Sequence, residues 1–417
     1  MIKRIIVILL LSWMGSGAVA LGDDHSRLEQ AESMLLDQPW ADQAAWQALT
    51  ANGLPLIEVH PENETLSRVT FAYRGRPNIA SVRLDSVVNA PYAASWVSDY
   101  QRDFTLPLNR LAESDIWSLT LDIPRDVQAS YSFLVEVGTT VHRRRDLANP
   151  RRLRGRDAES ILVGDRVGDA SAWRPILPRL RRPAEDWSID SEALQRSVSL
   201  SVHPAEQAQP DTPVLILYDS FLWGVRAPAW EIVQNLVDQG RIPPAHVVLI
   251  DQLDDISAAQ NYRDQSAFIV GELIPFLKEQ DSLRGANGPV ILGGASRRGL
   301  SATITALEHP DIIDAVISLS GSFYWAPEGE EPEWLSGTVY PAPASAPRFY
   351  LAAGSLEYVS TSTNQGHVML EANARLLQAL SGAGYDSQLE IFAGGHDITA
   401  WRAALAEGLK ALLDETE

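Results

Sequence analysis

Around residues 166–195 the hydrophobic rhythm of this 417-residue chain changes, and that change constrains its fold more than any other feature. Upstream, from 56 to 165, short segments at 68–73, 80–84, 116–121 and 129–136 alternate apolar with polar residues. Alternation at that spacing predicts the strands of a small β-sandwich. Downstream, from 196 to 417, continuous apolar runs at 214–219, 246–251, 290–293, 315–319, 349–353 and 389–392 are separated by amphipathic stretches at 229–239, 264–280, 299–308, 365–382 and 399–413. Unbroken apolar strands alternating with helices require a parallel sheet covered on both faces. Residues 166–195, where Pro175, Pro178 and Pro183 stand among arginines, read as a linker, and 21–55 carry a helical pattern interrupted at Pro39 and stopped by Asn52-Gly53.

The first twenty residues predict export. Lys3 and Arg4 precede an apolar run at 5–13, and Ser16-Gly17-Ala18-Val19-Ala20 ends it. This is the form of a secretory signal peptide over 1–20, cleaved after Ala20, which points to a periplasmic product with no membrane anchor after processing. The absence of cysteine excludes disulfides, thiol chemistry, Cys-ligated zinc and iron–sulfur clusters. A formal charge of −20 disfavours a nucleic-acid partner. Against that background, 143–182 holds twelve arginines (143, 144, 145, 151, 152, 154, 156, 166, 174, 179, 181 and 182) and five acidic residues. Such a strip either ion-pairs with the acidic second domain or steers an anionic substrate.

The chemistry centres on Gly294-Ala295-Ser296, which follows one apolar strand and opens a helical pattern. A serine at a strand-to-helix turn is a nucleophile elbow, in which the hydroxyl stands above the carboxyl edge of the sheet. Its usual second glycine is absent: Arg298 occupies that place and Gly299 comes one residue later. A serine hydroxyl needs a base, and the base needs an orienting acceptor, in the chain order serine, acid, histidine. Well downstream of Ser296 stand only His367, within a predicted helix, and His396, in Gly394-Gly395-His396-Asp397 between the last strand and the last helix. His396 is the expected base. Glu357, just past the strand at 349–353, is the expected acid; Asp397 competes for that role, but its adjacency to His396 makes side-on pairing hard. The expected oxyanion donors are the backbone N–H groups of Arg297 and Phe221. Trp223 either packs in the core or walls an aromatic substrate. No His-x-x-x-His cluster or phosphate loop is present, so the expected chemistry uses no cofactor and no metal.

On these residues the chain resembles the enterochelin (ferric enterobactin) esterase family. The likeness runs through Val69-Thr-Phe-Ala-Tyr-Arg74, Asp146-Leu-Ala-Asn-Pro150, Tyr218-Asp219 with Trp223, Ser318-Leu-Ser-Gly-Ser322, and Gly394-Gly-His-Asp397 with Trp401-Arg402. It implies an immunoglobulin-like domain ahead of an α/β-hydrolase domain, and serine hydrolysis of the trilactone esters of a catecholate siderophore. By position Ser296, Glu357 and His396 match the family's nucleophile, acid and base. Three departures stand out: Arg298 in the elbow, either displacing it or placing a cation beside substrate; Ala258 and Asn261 where relatives often carry Arg and Glu, with Arg263 the available substitute; and the export signal. A carbohydrate or feruloyl esterase, and a catalytically silent binding protein, are the alternative readings.

Overall fold

The computed structural model describes residues 26–38, 40–92, 105–155, 159–175, 183–251, 253, 259–284, 286–358 and 368–413. The expected signal peptide 1–20, His25, Ala258, His367 and arginines 156, 179, 181 and 182 lie outside the described residues.

Among the described residues, nine strands build the first domain: β1 (Leu56–Val59), β2 (Leu66–Arg74), β3 (Ile79–Ser86), β4 (Thr105–Pro107), β5 (Asn109–Arg110), β6 (Ile116–Pro124), β7 (Gln128–Val137), β8 (Thr140–Arg144) and β9 (Ser160–Val163). They form two antiparallel sheets in the orders β1-β2-β6-β5 and β4-β3-β7-β8, with β9 added to β7. Phe71, Leu84, Tyr131 and Phe133 fill the space between the sheets. Helices α1 (Arg27–Asp37) and α2 (Asp42–Thr50) cover the outside of the first sheet, where Ala31, Leu35, Ala45 and Leu49 meet Ala72 and Ile116. A capping box, in which Ser26 and Glu29 bond each other's backbone, starts α1.

The described residues of the second domain hold eight strands: β10 (Glu185–Ser191), β11 (Arg196–His203), β12 (Val214–Tyr218), β13 (His246–Ile250), β14 (Val290–Ala295), β15 (Ala315–Leu319), β16 (Arg348–Gly354) and β17 (Ser387–Phe392). Their order is β10-β11-β13-β12-β14-β15-β16-β17, with the first two antiparallel and the rest parallel. Helices α3 (Ala229–Asp238), α4 (Ala259–Ala267), α5 (Ile274–Lys278), α6 (Arg297–Glu308), α7 (Trp334–Gly337), α8 (Met369–Ala383) and α9 (Ile398–Leu413) accompany it. The apolar runs are explained by two cores: Ile216, Val248, Leu292 and Val316 face α6 and α8, while Leu215, Leu249, Ile291 and Ile317 face α3 and α9. This is the expected sandwich followed by an α/β-hydrolase sheet.

The linker needs correction. Its last third, Glu185–Ser191, is β10, an edge strand whose Trp187 and Ile189 turn inward while charged neighbours face out. The arginine strip joins the domains: Arg154 donates to both carboxylate oxygens of buried Glu231 on α3, at 2.7 and 2.8 Å, and Arg226 pairs with Glu159.

Candidate active site

Parallel strands β14, β15, β16 and β17 end side by side, so their following loops share one rim. Ser296 sits at the first of these ends with φ 57° and ψ −125°, a backbone conformation strained for any side-chain-bearing residue. The turn is held at both ends: Ser296 N–H donates to the Leu319 carbonyl at 2.8 Å, and Ser322 N–H donates to the Ser296 carbonyl at 3.2 Å. The Ser296 hydroxyl lies 3.3 Å from that of Ser322.

The elbow accommodates Arg298 without moving the serine. A Cβ on Gly294 would meet the Arg298 Cβ at 2.6 Å and its backbone carbon at 2.8 Å, so glycine at 294 is what lets α6 start this close to β14. The role of helix–strand approach passes to Gly299, whose Cβ would come within 2.4 Å of the Ser318 hydroxyl on β15. The Arg298 guanidinium donates to Gln265 Oε1 at 3.1 Å and to the Leu253 carbonyl, tying α6 to the segment after β13.

Glu357 and His396 meet directly, with His396 Nδ1 2.6 Å from Glu357 Oε1. Both are largely withdrawn from water, their side chains 14% and 4% exposed for His396 and Glu357 respectively. The other carboxylate oxygen accepts from the Ser320 hydroxyl and the Gly354 N–H, each at 2.7 Å. Three donors therefore hold one carboxylate, which fixes its orientation before any reaction. The chain of bonds continues outward: Trp401 Nε1–H donates to Ser320 Oγ at 2.8 Å. The Trp401 ring also meets the His396 imidazole edge-on, with centroids 4.7 Å apart. Trp401 lines the same cleft as Ser296, a cavity of about 340 Å³ whose walls include Tyr218, Asp219, Leu222, Arg297 and Arg298. The indole thus borders both the histidine and the cleft that holds the serine. Asp397 is not the acid: its Oδ1 accepts from Thr399 N–H at 2.7 Å and its Oδ2 from Ser130, in the other domain.

The turn after β12 begins at Asp219, φ 74°, whose carboxylate accepts from Leu222 N–H at 2.9 Å and whose carbonyl accepts from Trp223 N–H at 3.0 Å. The N–H groups of Ser220 and Phe221 precede the first intrahelical bond, as does that of Arg297 in α6. Phe221 exposes 57% of its surface. Trp223 does not wall the cleft: it is completely buried among Leu217, Ala227 and Leu249, because the Asp219 turn swings it under the sheet. Arg263 is also displaced from its expected place. It is exposed on α4, its guanidinium 5.4 Å from the Tyr262 ring, and it does not line the cleft. Ser320 and Ser322, not singled out for any role from sequence, lie in the quoted Ser318-Leu-Ser-Gly-Ser322 string; their position at the carboxyl end of β15, beside the elbow strand, is the signal that finds them.

The Esterase family model matches residues 191–412, and the "Enterochelin esterase, N-terminal" model matches 68–181. The chain belongs to the Esterase family. This esterase is 26% identical over 406 residues to the iron(III) salmochelin esterase of Escherichia coli O6:H1, with 88% of this chain and 92% of that protein covered. It is 24% identical over 386 residues to the iron(III) enterobactin esterase of Escherichia coli K12, covering 83% and 91%. A crystal structure of the enterobactin esterase from Shigella flexneri in the presence of enterobactin superimposes with a TM-score of 0.68 at 23% identity, covering 89% of this esterase and 98% of that chain. The ferric enterobactin esterase of Salmonella typhimurium gives the same TM-score, 0.68, and the same fold.

Proposed function

We propose that this protein is a serine esterase that opens the ester bonds of a catecholate siderophore of the enterobactin and salmochelin kind, releasing its iron. The observation that carries the catalytic reading is the hydrogen-bonded Glu357–His396 pair at the rim where Ser296 is held in a strained turn. With Nδ1 engaged by the carboxylate, Nε2 is the basic nitrogen. It takes the Ser296 proton as the hydroxyl attacks the ester carbonyl, then returns it to the leaving alcohol; water resolves the acyl-enzyme by the same route. The backbone N–H groups of Arg297 and Phe221 receive the oxyanion, each contributing about 3–4 kcal/mol to the transition state. Glu357 orients the imidazole and stabilises its cationic form.

Substrate class rests on the named activities of the relatives, which span this chain almost end to end, and on the charge of the cleft. In a protein of formal charge −20, Arg297 and Arg298 line the cleft of Ser296, against one carboxylate, Asp219. Two cations there suit an anionic ferric catecholate. The signal-like segment at 1–20 supports a periplasmic site of action, checked by N-terminal sequencing of protein recovered from that fraction. The test of activity compares ferric enterobactin with feruloylated and acetylated sugars, for wild type and Ser296→Ala. Hydrolysis of the siderophore that disappears in the variant is the expected result. Turnover of the sugar esters alone would replace the substrate, and turnover that survives Ser296→Ala would remove the mechanism.

A further inference from the structure

The loop that carries His396 is built by two domains. On the sandwich side, β7 reads Gln128-Ala129-Ser130-Tyr131-Ser132-Phe133, alternating like a strand with one wet face. Its polar residues are nonetheless buried, with Gln128, Ser130 and Ser132 exposed by only 9%, 8% and 1%, because α9 lies over them. At this contact Gln128 N–H donates to the Ala393 carbonyl at 3.0 Å. Two residues on, Ser130 donates twice to Asp397 Oδ2, from its N–H at 3.0 Å and from its hydroxyl at 2.5 Å. Between these two ties the chain runs through Gly394 and Gly395. A Cβ on Gly394 would approach the Gln128 carbonyl at 3.0 Å, and one on Gly395 would approach Val87 Cβ at 2.9 Å, so the sandwich also sets the loop's clearance.

We infer that Ser130 is a positioning residue for catalysis: it holds the Asp397 carboxylate so that His396 faces Ser296. The inference rests on the esterase reading above. Asp397 is a buried hub. Its Oδ1 caps α9 through Thr399 N–H, and its carbonyl accepts from Ala400 and Trp401 N–H at 3.2 and 3.1 Å. That helix delivers Trp401 to Ser320 and to the imidazole face. The acid loop is held by the same domain, since Leu356 packs against the sandwich core and its N–H donates to the Gly394 carbonyl at 2.8 Å. Ser130 is itself fixed: its carbonyl accepts from the Ser86 hydroxyl at 2.8 Å. Loss of the Ser130 hydroxyl removes the shorter of the two ties without removing any atom of the catalytic trio itself. A misplacement of order 1 Å costs as much as about a hundredfold in rate; here the remaining N–H bond limits it.

The test uses the full chain with p-nitrophenyl butyrate. Ser130→Ala is expected to lower kcat about tenfold with KM unchanged within about twofold, and Ser130→Thr, which keeps the hydroxyl, to recover most of the loss. Ser132→Ala is the control: it removes a more deeply buried serine from the same face of β7, one that bonds Arg143 rather than the loop, and leaves kcat at the wild-type value. If Ser130→Ala does not fold, Asp397→Asn reads the same tie from the other side, with an expected tenfold or larger fall in kcat. Wild-type kcat in Ser130→Ala, or in Asp397→Asn where that variant is the one read, overturns the inference, as does an equal loss in Ser130→Ala and Ser132→Ala. Failure of the esterase reading looks different: the wild type itself would neither turn over the ester nor take up a serine-directed phosphonate.

Discussion

The turn that carries Ser296 and the loop that carries His396 are held by opposite strategies. Ser296 is fixed from within its own domain. Gly294 and Gly299 let α6 close on β14 and β15, the neighbouring strand supplies the hydrogen bonds, and the strain sits in one residue. The His396 loop is fixed from outside, by the sandwich strand β7 and by Val87. The difference teaches that the Ser296 turn is specified by its own helix and the neighbouring strand, whereas the His396 loop is specified by a contact between residues 267 apart in the chain.

The largest expected effects fall on the shared chemistry. Ser296→Ala should reduce kcat/KM by about 10⁶, as loss of the nucleophile does when the trio acts as a unit. Glu357→Gln should cost about 10⁴, because the amide preserves shape but not the acceptor that fixes the histidine tautomer. Steady-state kinetics on one chromogenic ester check both.

A smaller effect separates the two strategies. Gly395→Ala should lower kcat about tenfold through the Val87 clash, and Val87→Gly should restore it, since the crowding atom, Val87 Cβ at 2.9 Å, belongs to a side chain. Gly294→Ala should lose activity with no rescue from Arg298→Gly, because the added Cβ also meets the Arg298 backbone carbon at 2.8 Å. Rescue at 294, or none at 395, would erase the distinction between the two loops. Trp401→Phe comes next. It removes the N–H that bonds Ser320 and should cost about 1–3 kcal/mol of stability, seen in denaturant midpoints, with kcat reduced a few-fold.

The smallest effect is on stability against pH, in the strand that feeds the histidine loop. Burial, reinforced by Glu407, pushes the Glu390 carboxyl on β17 up to about 7 from 4.5, with Lys410 opposing. The folded protein therefore keeps a proton there that the unfolded chain releases, and the associated stability is present at low pH and lost as pH rises from about 4.5 through about 7. Glu390→Gln should raise the Tm at pH 8, and the gain should shrink to nothing by pH 4.5. Differential scanning calorimetry at the two pH values measures it.

The two-domain architecture was legible because its cause is local: alternation where one face of a sheet packs, continuous apolar runs where both do. Strands β10 and β11 were not, since Arg196–His203 alternates serines with Val198, Leu200 and Val202 like the sandwich that precedes it. Ser296, Glu357 and His396 could be placed from their positions just past strand ends, and the structure brings Glu357 and His396 into contact on the rim that carries Ser296. Trp223 and Arg263 could not, because whether a side chain faces a cleft or a core depends on turn geometry that residue type does not encode. The serines of β7 illustrate the same limit. The alternation of β7 does not show that Ser130 is buried, and only the docked second domain supplies the Asp397 carboxylate to which it donates.

The central claim, that Ser296 is the nucleophile of a trio whose histidine loop is held by the other domain, is tested most directly by mapping the adduct of a fluorophosphonate probe. Tryptic peptides of the labelled full-length protein should carry the phosphonate on Ser296 alone, and labelling should slow about tenfold in Ser130→Ala. A folded wild type that takes up no label, or that takes it up at another serine, would contradict the account.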